Sequence, residues 1–208
     1  MAGPGKRATP AATPASPGSG RVLGIDPGTR VVGYAIIDVP APGRFDYVEC
    51  GVLKVEAKDE LHVRLLELTV GVRELIGEFA PASLAIERAF TGLNSASALK
   101  LAEARGALKL VALEHGLAVS EYAPAMVKRA VVGRGRATKA EVQARVRLLC
   151  RLGKLPRSDA ADALAIAICH VQASKLGPSP SKSPIPSGRR GKLRGLPAGR
   201  VAKDKTRT

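Results

Sequence analysis

Two short apolar segments of this chain end abruptly at an acidic residue. The run VLGI at 22–25 is followed by Asp26, and the run SLAI at 83–86 is followed by Glu87. Short apolar runs bounded by turn residues are typical of buried strands, and the Pro-Gly pair after Asp26 marks a turn. Open α/β sheets place their sites at such strand ends. We therefore interpret Asp26 and Glu87 as site residues rather than ordinary surface charges.

The other hydrophobic patterns predict an α/β domain with a mixed central sheet, because three strands precede an alternation of helices and strands. Pro81 and Gly116 are expected to stop the first two helices. The predicted strands cover 22–25, 31–37, 44–55, 83–86 and 119–122, and the predicted helices cover 61–76, 95–115, 124–132, 138–151 and 159–174.

The ends of the chain differ in composition from its centre. Residues 1–20 are rich in Pro, Gly, Ala, Ser and Thr, and residues 175–208 combine five prolines with many Lys and Arg. Neither segment has helical or strand periodicity, so both are predicted to be disordered tails. The folded domain is expected to span residues 21–174.

The formal net charge is +15, and it is unevenly distributed. Residues 124–157 hold ten cations and one acid, and the C-terminal tail is also basic. Basic segments beside a more acidic body favour a polyanionic partner such as nucleic acid, although a solvated basic surface is the alternative. Three widely spaced cysteines and no apolar leader or membrane-length run predict a soluble cytoplasmic protein.

Asp159 and Asp162 are three residues apart in the last predicted helix, so they share one helical face. The alanines around them, at 160, 161, 163 and 165, are small enough to let this face approach the sheet closely. Carboxylates brought together repel one another unless they are protonated or bound to cations. An all-oxygen cluster suits Mg²⁺ or Mn²⁺, and two such ions can promote hydrolysis of a phosphodiester.

Each acid also has a plainer interpretation. Asp26 is a common turn residue, Glu87 could pair with Arg88, and Asp159 could cap its helix together with Ser158. The capping interpretation does not cover Asp162, which lies within an otherwise apolar helix. The combination of the four positions therefore favours a metal site.

Four segments carry a resemblance to a known family. GIDPGTRVVGYAIID at 24–38, AIERAF at 85–90, SASALKLAEARG at 95–106 and DAADALAIAICH at 159–170 closely resemble the RuvC family of Holliday junction resolvases, as does the basic segment VKRAVVGRGRATKAEVQ at 127–143. The resemblance covers nearly all of residues 21–174 in the same order. It implies a ribonuclease-H-like fold with a mixed five-stranded sheet.

The resemblance also implies an activity, namely nicking of two strands placed symmetrically across a four-way DNA junction in recombination and repair. The expected protein is a homodimer that uses two Mg²⁺ ions per site, which Mn²⁺ can replace, and that works with a branch-migration motor. The family's four acids fall on Asp26, Glu87, Asp159 and Asp162. Asp26 is expected between the two ions, and in-line attack of water on phosphorus leaves a 5′-phosphate and a 3′-hydroxyl.

Several other residues are expected to contact DNA. Phe90, in a loop-like stretch after Glu87, matches a family position suited to stacking on an unpaired base, whereas its plainer interpretation is a core residue. Lys128 and Lys139 match basic residues that face the DNA backbone in the family. The remaining candidates for phosphate contact are Arg30, Arg134 and Arg136.

Three rival functions use parts of the same pattern. The IDPGT segment resembles the phosphate-binding hairpin of actin-like ATPases and sugar kinases, but those proteins need a second domain and more glycine-rich loops. A different ribonuclease-H-like nuclease, acting on RNA or single strands, would share the acids. A non-enzymatic DNA-binding module would explain the basic segment and leave the four acids without a role.

Overall fold

The computed structural model describes residues 20–88 and 95–175. Of the two predicted tails, it includes only Gly20 and Lys175, which lie at the ends of the first strand and the last helix. The elements are β1 (Gly20–Asp26), β2 (Val31–Ala41), β3 (Arg44–Lys54), α1 (Leu61–Phe79), β4 (Ser83–Glu87), α2 (Ser95–Glu114), β5 (Ala118–Tyr122), α3 (Pro124–Val132), α4 (Lys139–Leu149) and α5 (Ser158–Lys175).

The five strands form one mixed sheet in the order β3-β2-β1-β4-β5. β1, β2 and β3 are antiparallel neighbours, whereas β4 runs parallel to β1 and β5 runs parallel to β4. The predicted α/β fold with a mixed five-stranded sheet is therefore confirmed. Because β1 and β4 are parallel neighbours, their carboxyl ends meet at the same edge of the sheet.

Both faces of the sheet are covered by helices. Leu23 and Ile25 of β1 are fully buried on the face that packs against α1 and α2. Val22, from the alternate register, belongs to the core on the other face, beneath α3, α4 and α5. This arrangement explains why β1 is apolar without alternation, since both of its faces are removed from water. Burial of each large side chain contributes roughly 1.5–3 kcal/mol to folding.

Local sequence signals account for where individual helices begin and end. α1 ends at Ala80, whose φ of 46° is left-handed and whose N–H donates to the Ile76 carbonyl, and Pro81 follows. α4 begins with a capping box in which Thr138 and Glu141 exchange hydrogen bonds with each other's backbone N–H. This cap fixes the start of α4 at Lys139. None of the helices within the described ranges is long and apolar enough to cross a bilayer.

Candidate active site

Asp26 and Glu87 are the last residues of two neighbouring parallel strands. The register of β1 and β4 pairs Ile25 with Ile86, so each acid follows directly after a paired, fully buried residue. The two acids therefore leave the sheet side by side at the same edge. This agrees with the placement predicted from the two apolar runs.

α5 lies directly on β1 and β2 because the residues at this interface are two glycines and several alanines, whose small size allows the close approach. A β-carbon at Gly24 would lie 2.5 Å from the Ala163 carbonyl oxygen and 2.9 Å from the Ala167 β-carbon. A β-carbon at Gly33 would overlap the backbone oxygen of Asp159. Gly33 is the register partner of Asp26, so this contact brings the first turn of α5 next to the end of β1.

A cavity of about 250 Å³ opens where these elements meet. Its charged lining comprises three of the candidate acids and two lysines, namely Asp26, Glu87, Asp162, Lys128 and Lys139. Its apolar wall is formed by α3, α4 and α5 through Pro124, Val127, Val142, Ala165 and Ile166. Asp159 lies outside this lining but close enough to act electrostatically on Asp26. The acids predicted from separate parts of the sequence thus share one region of the fold.

The electrostatic coupling among the acids is strongest at Asp26. Burial is the main cause that raises the pKa of Asp26 to about 7, and repulsion from Asp162, Glu87 and Asp159 adds to it. Lys139 acts in the opposite direction. Asp26 is therefore the carboxylate whose negative charge is most costly, and both Asp26 and Asp162 interact with all three other acids.

Burial and like charge also perturb the other two acids of the cavity. Burial, followed by the charge of Asp162, raises the pKa of Glu87. Burial raises the pKa of Asp162 as well, although Lys139 partly offsets this. The Nζ atom of Lys139 lies 3.4 Å from Asp162 Oδ2. A bound cation would relieve the remaining repulsion, so the electrostatics and the all-oxygen donor set both fit a divalent metal.

The charges of the acidic side chains favour a bound metal, but the positions of these side chains do not form a ready metal site. Within residues 20–88 and 95–175, no three His, Cys, Asp or Glu side chains converge as a ready metal-binding group. The carboxylates surround one cavity without closing on a common point. The backbone thus brings the donors to one region of the fold.

The predicted DNA-contacting residues divide into two groups. Lys128 and Lys139 line the cavity itself. Arg30 and Arg136 are exposed outside it, and Arg134 is exposed and paired with Glu141. Phe90 lies outside the described residues.

Sequence reasoning missed the contacts that join separate elements. Gly24 and Gly33 occupy strands that α5 crosses, and only the three-dimensional packing reveals why these positions lack a side chain. The contact of Lys139 with Asp162 was also missed, because the family resemblance suggested a contact with the DNA backbone. Its position at the capped start of α4 was the one available signal, since N-terminal residues of a helix can point along the helix axis towards an adjacent site.

Comparison with known proteins agrees with this architecture. Residues 22–170 match the protein family described as crossover junction endodeoxyribonuclease RuvC. Relatives of that name from Chromohalobacter salexigens and Halorhodospira halophila are 46% and 47% identical to the chain, over 152 and 151 residues. The alignments cover 73% of this chain in both cases, and 81% and 89% of the respective relatives.

A solved structure of Thermus thermophilus RuvC in complex with Holliday junction substrate superposes with a TM-score of 0.71 and 33% sequence identity. The match covers 76% of this chain and 96% of that one. The mixed sheet, its flanking helices and this superposition define a nuclease of the ribonuclease-H-like fold. The chain belongs to the RuvC family of crossover junction endodeoxyribonucleases.

Proposed function

We propose that this endonuclease resolves four-way DNA junctions through a Mg²⁺-dependent centre formed by Asp26, Glu87, Asp159 and Asp162. The observation that carries the proposal is that acids from β1, β4 and α5 line one cavity together with two lysines. The family match supports the same substrate, since a relative of this fold is named as a complex with Holliday junction substrate. It also favours this function over a nucleotide-binding hairpin or a non-enzymatic DNA-binding module.

The donor set supports two divalent ions, for which Mg²⁺ is the proposed species and Mn²⁺ its substitute. When bound, such ions polarise the scissile phosphate, activate water and stabilise the leaving oxygen. Asp26, whose pKa is raised to about 7 by burial and by the other three acids, is the proposed shared ligand. Glu87 would hold one ion from β4, and the acids of α5 would hold the other.

Lys128 and Lys139 are proposed to bind the DNA phosphate rather than the metal ions. They line the same cavity as the acids, so a phosphate that enters it meets two cations as well as the carboxylates. These cations would orient the anionic backbone and lower the repulsion between phosphate and protein. Arg30, Arg134 and Arg136 are proposed as outer phosphate contacts, and Phe90 as the base-stacking residue.

Direct attack by water is favoured over a covalent intermediate on cysteine. Burial raises the pKa of Cys150 to about 12 and that of Cys169 to about 12, and it also raises the pKa of Cys50. These thiols stay protonated at neutral pH and are poor nucleophiles. None of the three lines the cavity.

Symmetric nicking of two strands requires two centres related by a two-fold axis, and we propose that a homodimer supplies them. The solvent sides of α1 and α2 support this, because each carries an apolar stripe at helical spacing. The exposed residues of these stripes are Val63, Leu66, Val70, Leu99, Leu110 and Leu113. A cytoplasmic location and cooperation with a branch-migration motor remain predictions from the sequence and the resemblance.

The dimer can be tested by analytical ultracentrifugation of two variants. Leu66→Glu places a charge in the α1 stripe and is expected to shift the protein towards monomer. Leu148→Glu is the matched control, since Leu148 is an equally exposed apolar residue on α4. Equal dimer content in both variants would refute this interface.

The function itself is tested with a synthetic four-way junction and a linear duplex of the same sequence, each incubated with and without Mg²⁺. We expect paired symmetric nicks in the junction only, with Mg²⁺ present, and ligatable 5′-phosphate ends. Cutting of the duplex at a similar rate, or cutting in a chelator, would contradict the proposal.

A further inference from the structure

Arg105 is a buried charged residue in an otherwise apolar face of α2. It is 5% exposed, and its neighbours on that face, Ala104 and Leu108, are almost fully buried. A buried guanidinium is costly unless its hydrogen bonds are satisfied, and replacing a whole buried ion pair with apolar side chains is often neutral for stability. Its presence at this position therefore calls for a role beyond packing.

Arg105 contacts the backbone of Glu87, a residue of the candidate active site. One Nη atom donates to the backbone carbonyl of Glu87, and the other lies 3.5 Å from Glu121 Oε1. Glu121, on β5, is also held by Lys109, at 2.6 Å. The charge of Arg105 is thus balanced by Glu121, which leaves one arm of the guanidinium fork to hold the Glu87 backbone.

Glu87 is the point at which β4 loses one of its neighbours. The pairing of β4 with β1 ends at Ile86, so Glu87 is paired with β5 alone, opposite Tyr122. The next residue, Arg88, donates its N–H to the Tyr122 carbonyl at 2.7 Å. β5 therefore holds one side of this strand end, and Arg105 holds the carbonyl of Glu87 from α2.

From this geometry we infer that Arg105 is a positioning residue, which fixes the backbone of Glu87 so that its carboxylate stays at the cavity of the candidate site. The inference rests on the proposed carboxylate centre, and it adds a residue that lies outside the cavity lining. Groups that orient a metal ligand without touching the metal typically change affinity or activity by 10–100-fold when removed. Arg105 acts through the ligand's main chain rather than through its carboxylate.

Arg105→Met tests this role, and Arg21→Met is the matched control. Arg21 also spans a backbone carbonyl and a carboxylate, since it donates to Phe79 O at 2.9 Å and to Asp38 at 2.8 Å. It lies near the opposite end of β1 from Asp26. Both variants lose an arginine of the same bonding type, but Arg21 is less buried than Arg105, so the stability of each variant is measured by urea denaturation alongside.

The main measurement is a calorimetric titration of the DNA-free, full-length protein with Mn²⁺. We expect Arg105→Met to raise the half-saturating Mn²⁺ concentration about tenfold, and Arg21→Met to leave it unchanged. The Mg²⁺ concentration for half-maximal junction cleavage should shift in parallel, while junction affinity in chelator stays at the wild-type value. Equal Mn²⁺ midpoints in Arg105→Met and Arg21→Met would overturn the inference.

If Arg105→Met fails to fold, Arg105→Lys tests the positioning role of Arg105 instead. An ammonium group keeps the charge but cannot hold the carbonyl and Glu121 with the two arms of a fork. A midpoint about threefold above wild type would support positioning by the fork, and a wild-type midpoint would overturn it. Failure of the proposed function is a separate result, because wild-type protein would then bind Mn²⁺ without cutting junctions.

Discussion

The backbone of Gly33 contacts the backbone of Asp159, with no side chain between β2 and the first turn of α5. Gly33 is also the register partner of Asp26. Together with the approach of Gly24 to Ala163, this contact therefore sets the distance between the acid of β1 and the two acids of α5. The candidate active site depends on it even though Gly33 carries no functional group.

Gly33→Ala should separate α5 from the sheet. The added β-carbon would overlap backbone atoms of Asp159, which cannot rotate away as a side chain could. We expect a loss of about 1–3 kcal/mol in the free energy of unfolding, as for an overpacked core, measured by urea denaturation. Junction cleavage should fall further than the small change in the folded population explains.

Gly77→Ala is the control for this prediction. A β-carbon at Gly77 meets nothing within 4 Å, and the position lies in α1, where alanine favours the helix by about 1 kcal/mol. This variant should be as stable as wild type or more so, with unchanged cleavage. If Gly33→Ala behaves in the same way, the close approach of α5 is not required.

The acids make stability depend on pH in the absence of metal. Because the pKa of Asp26 is raised from 3.8 to about 7, the folded protein retains a proton that the unfolded chain releases. Between these values the folded state binds more protons, so stability falls as the pH rises. This stability is fully present below the lower value and is lost as the pH passes through the higher one.

Asp26→Asn should remove this dependence. In a chelator, the variant is expected to gain in melting temperature over wild type as the pH is raised from about 4 to about 8, because the asparagine carries no charge to bury. Thermal unfolding followed by circular dichroism at several pH values measures the difference. If the melting temperatures of the two proteins change in parallel with pH, the pKa of Asp26 is not raised by folding.

Lys128 lines the cavity, and its replacement tests the cationic part of the proposal. Lys128→Ala should weaken junction binding in chelator and reduce the slope of log affinity against log salt by about 0.9, the value for one lost phosphate contact. Fluorescence anisotropy across a salt series measures both quantities. Lys58→Ala, at an exposed position outside the cavity, should leave the slope unchanged, and an unchanged slope for both variants would count against a phosphate contact.

The sequence predicted the features that depend on local pattern. The apolar runs before Asp26 and Glu87 identified two strand ends, and the spacing of Asp159 and Asp162 identified one helical face. Family resemblance then supplied the sheet, and the structure confirmed it. The order of the strands places the two strand-end acids together, because β1 and β4 are parallel neighbours.

The contacts between helices and strands could not be predicted from local sequence patterns. Arg105 and Glu87 are 18 positions apart in the sequence, and Lys139 and Asp162 are 23 positions apart. Each contact depends on how two elements pack, and a single arginine or lysine in a helix gives no sign of its partner. The sequence predicted the four acids as one metal site, and in the described residues three of them line the cavity without converging on a common point.

The most direct test of the account is the rate at which Asp26→Asn cuts a four-way junction in Mg²⁺. The substitution keeps the size of the side chain and removes the charge that the proposed centre needs for metal binding. We predict cleavage below detection, with junction affinity in chelator within about twofold of wild type, because phosphate contacts are made by other residues. Cleavage at the wild-type rate by Asp26→Asn would contradict the assignment of this carboxylate centre.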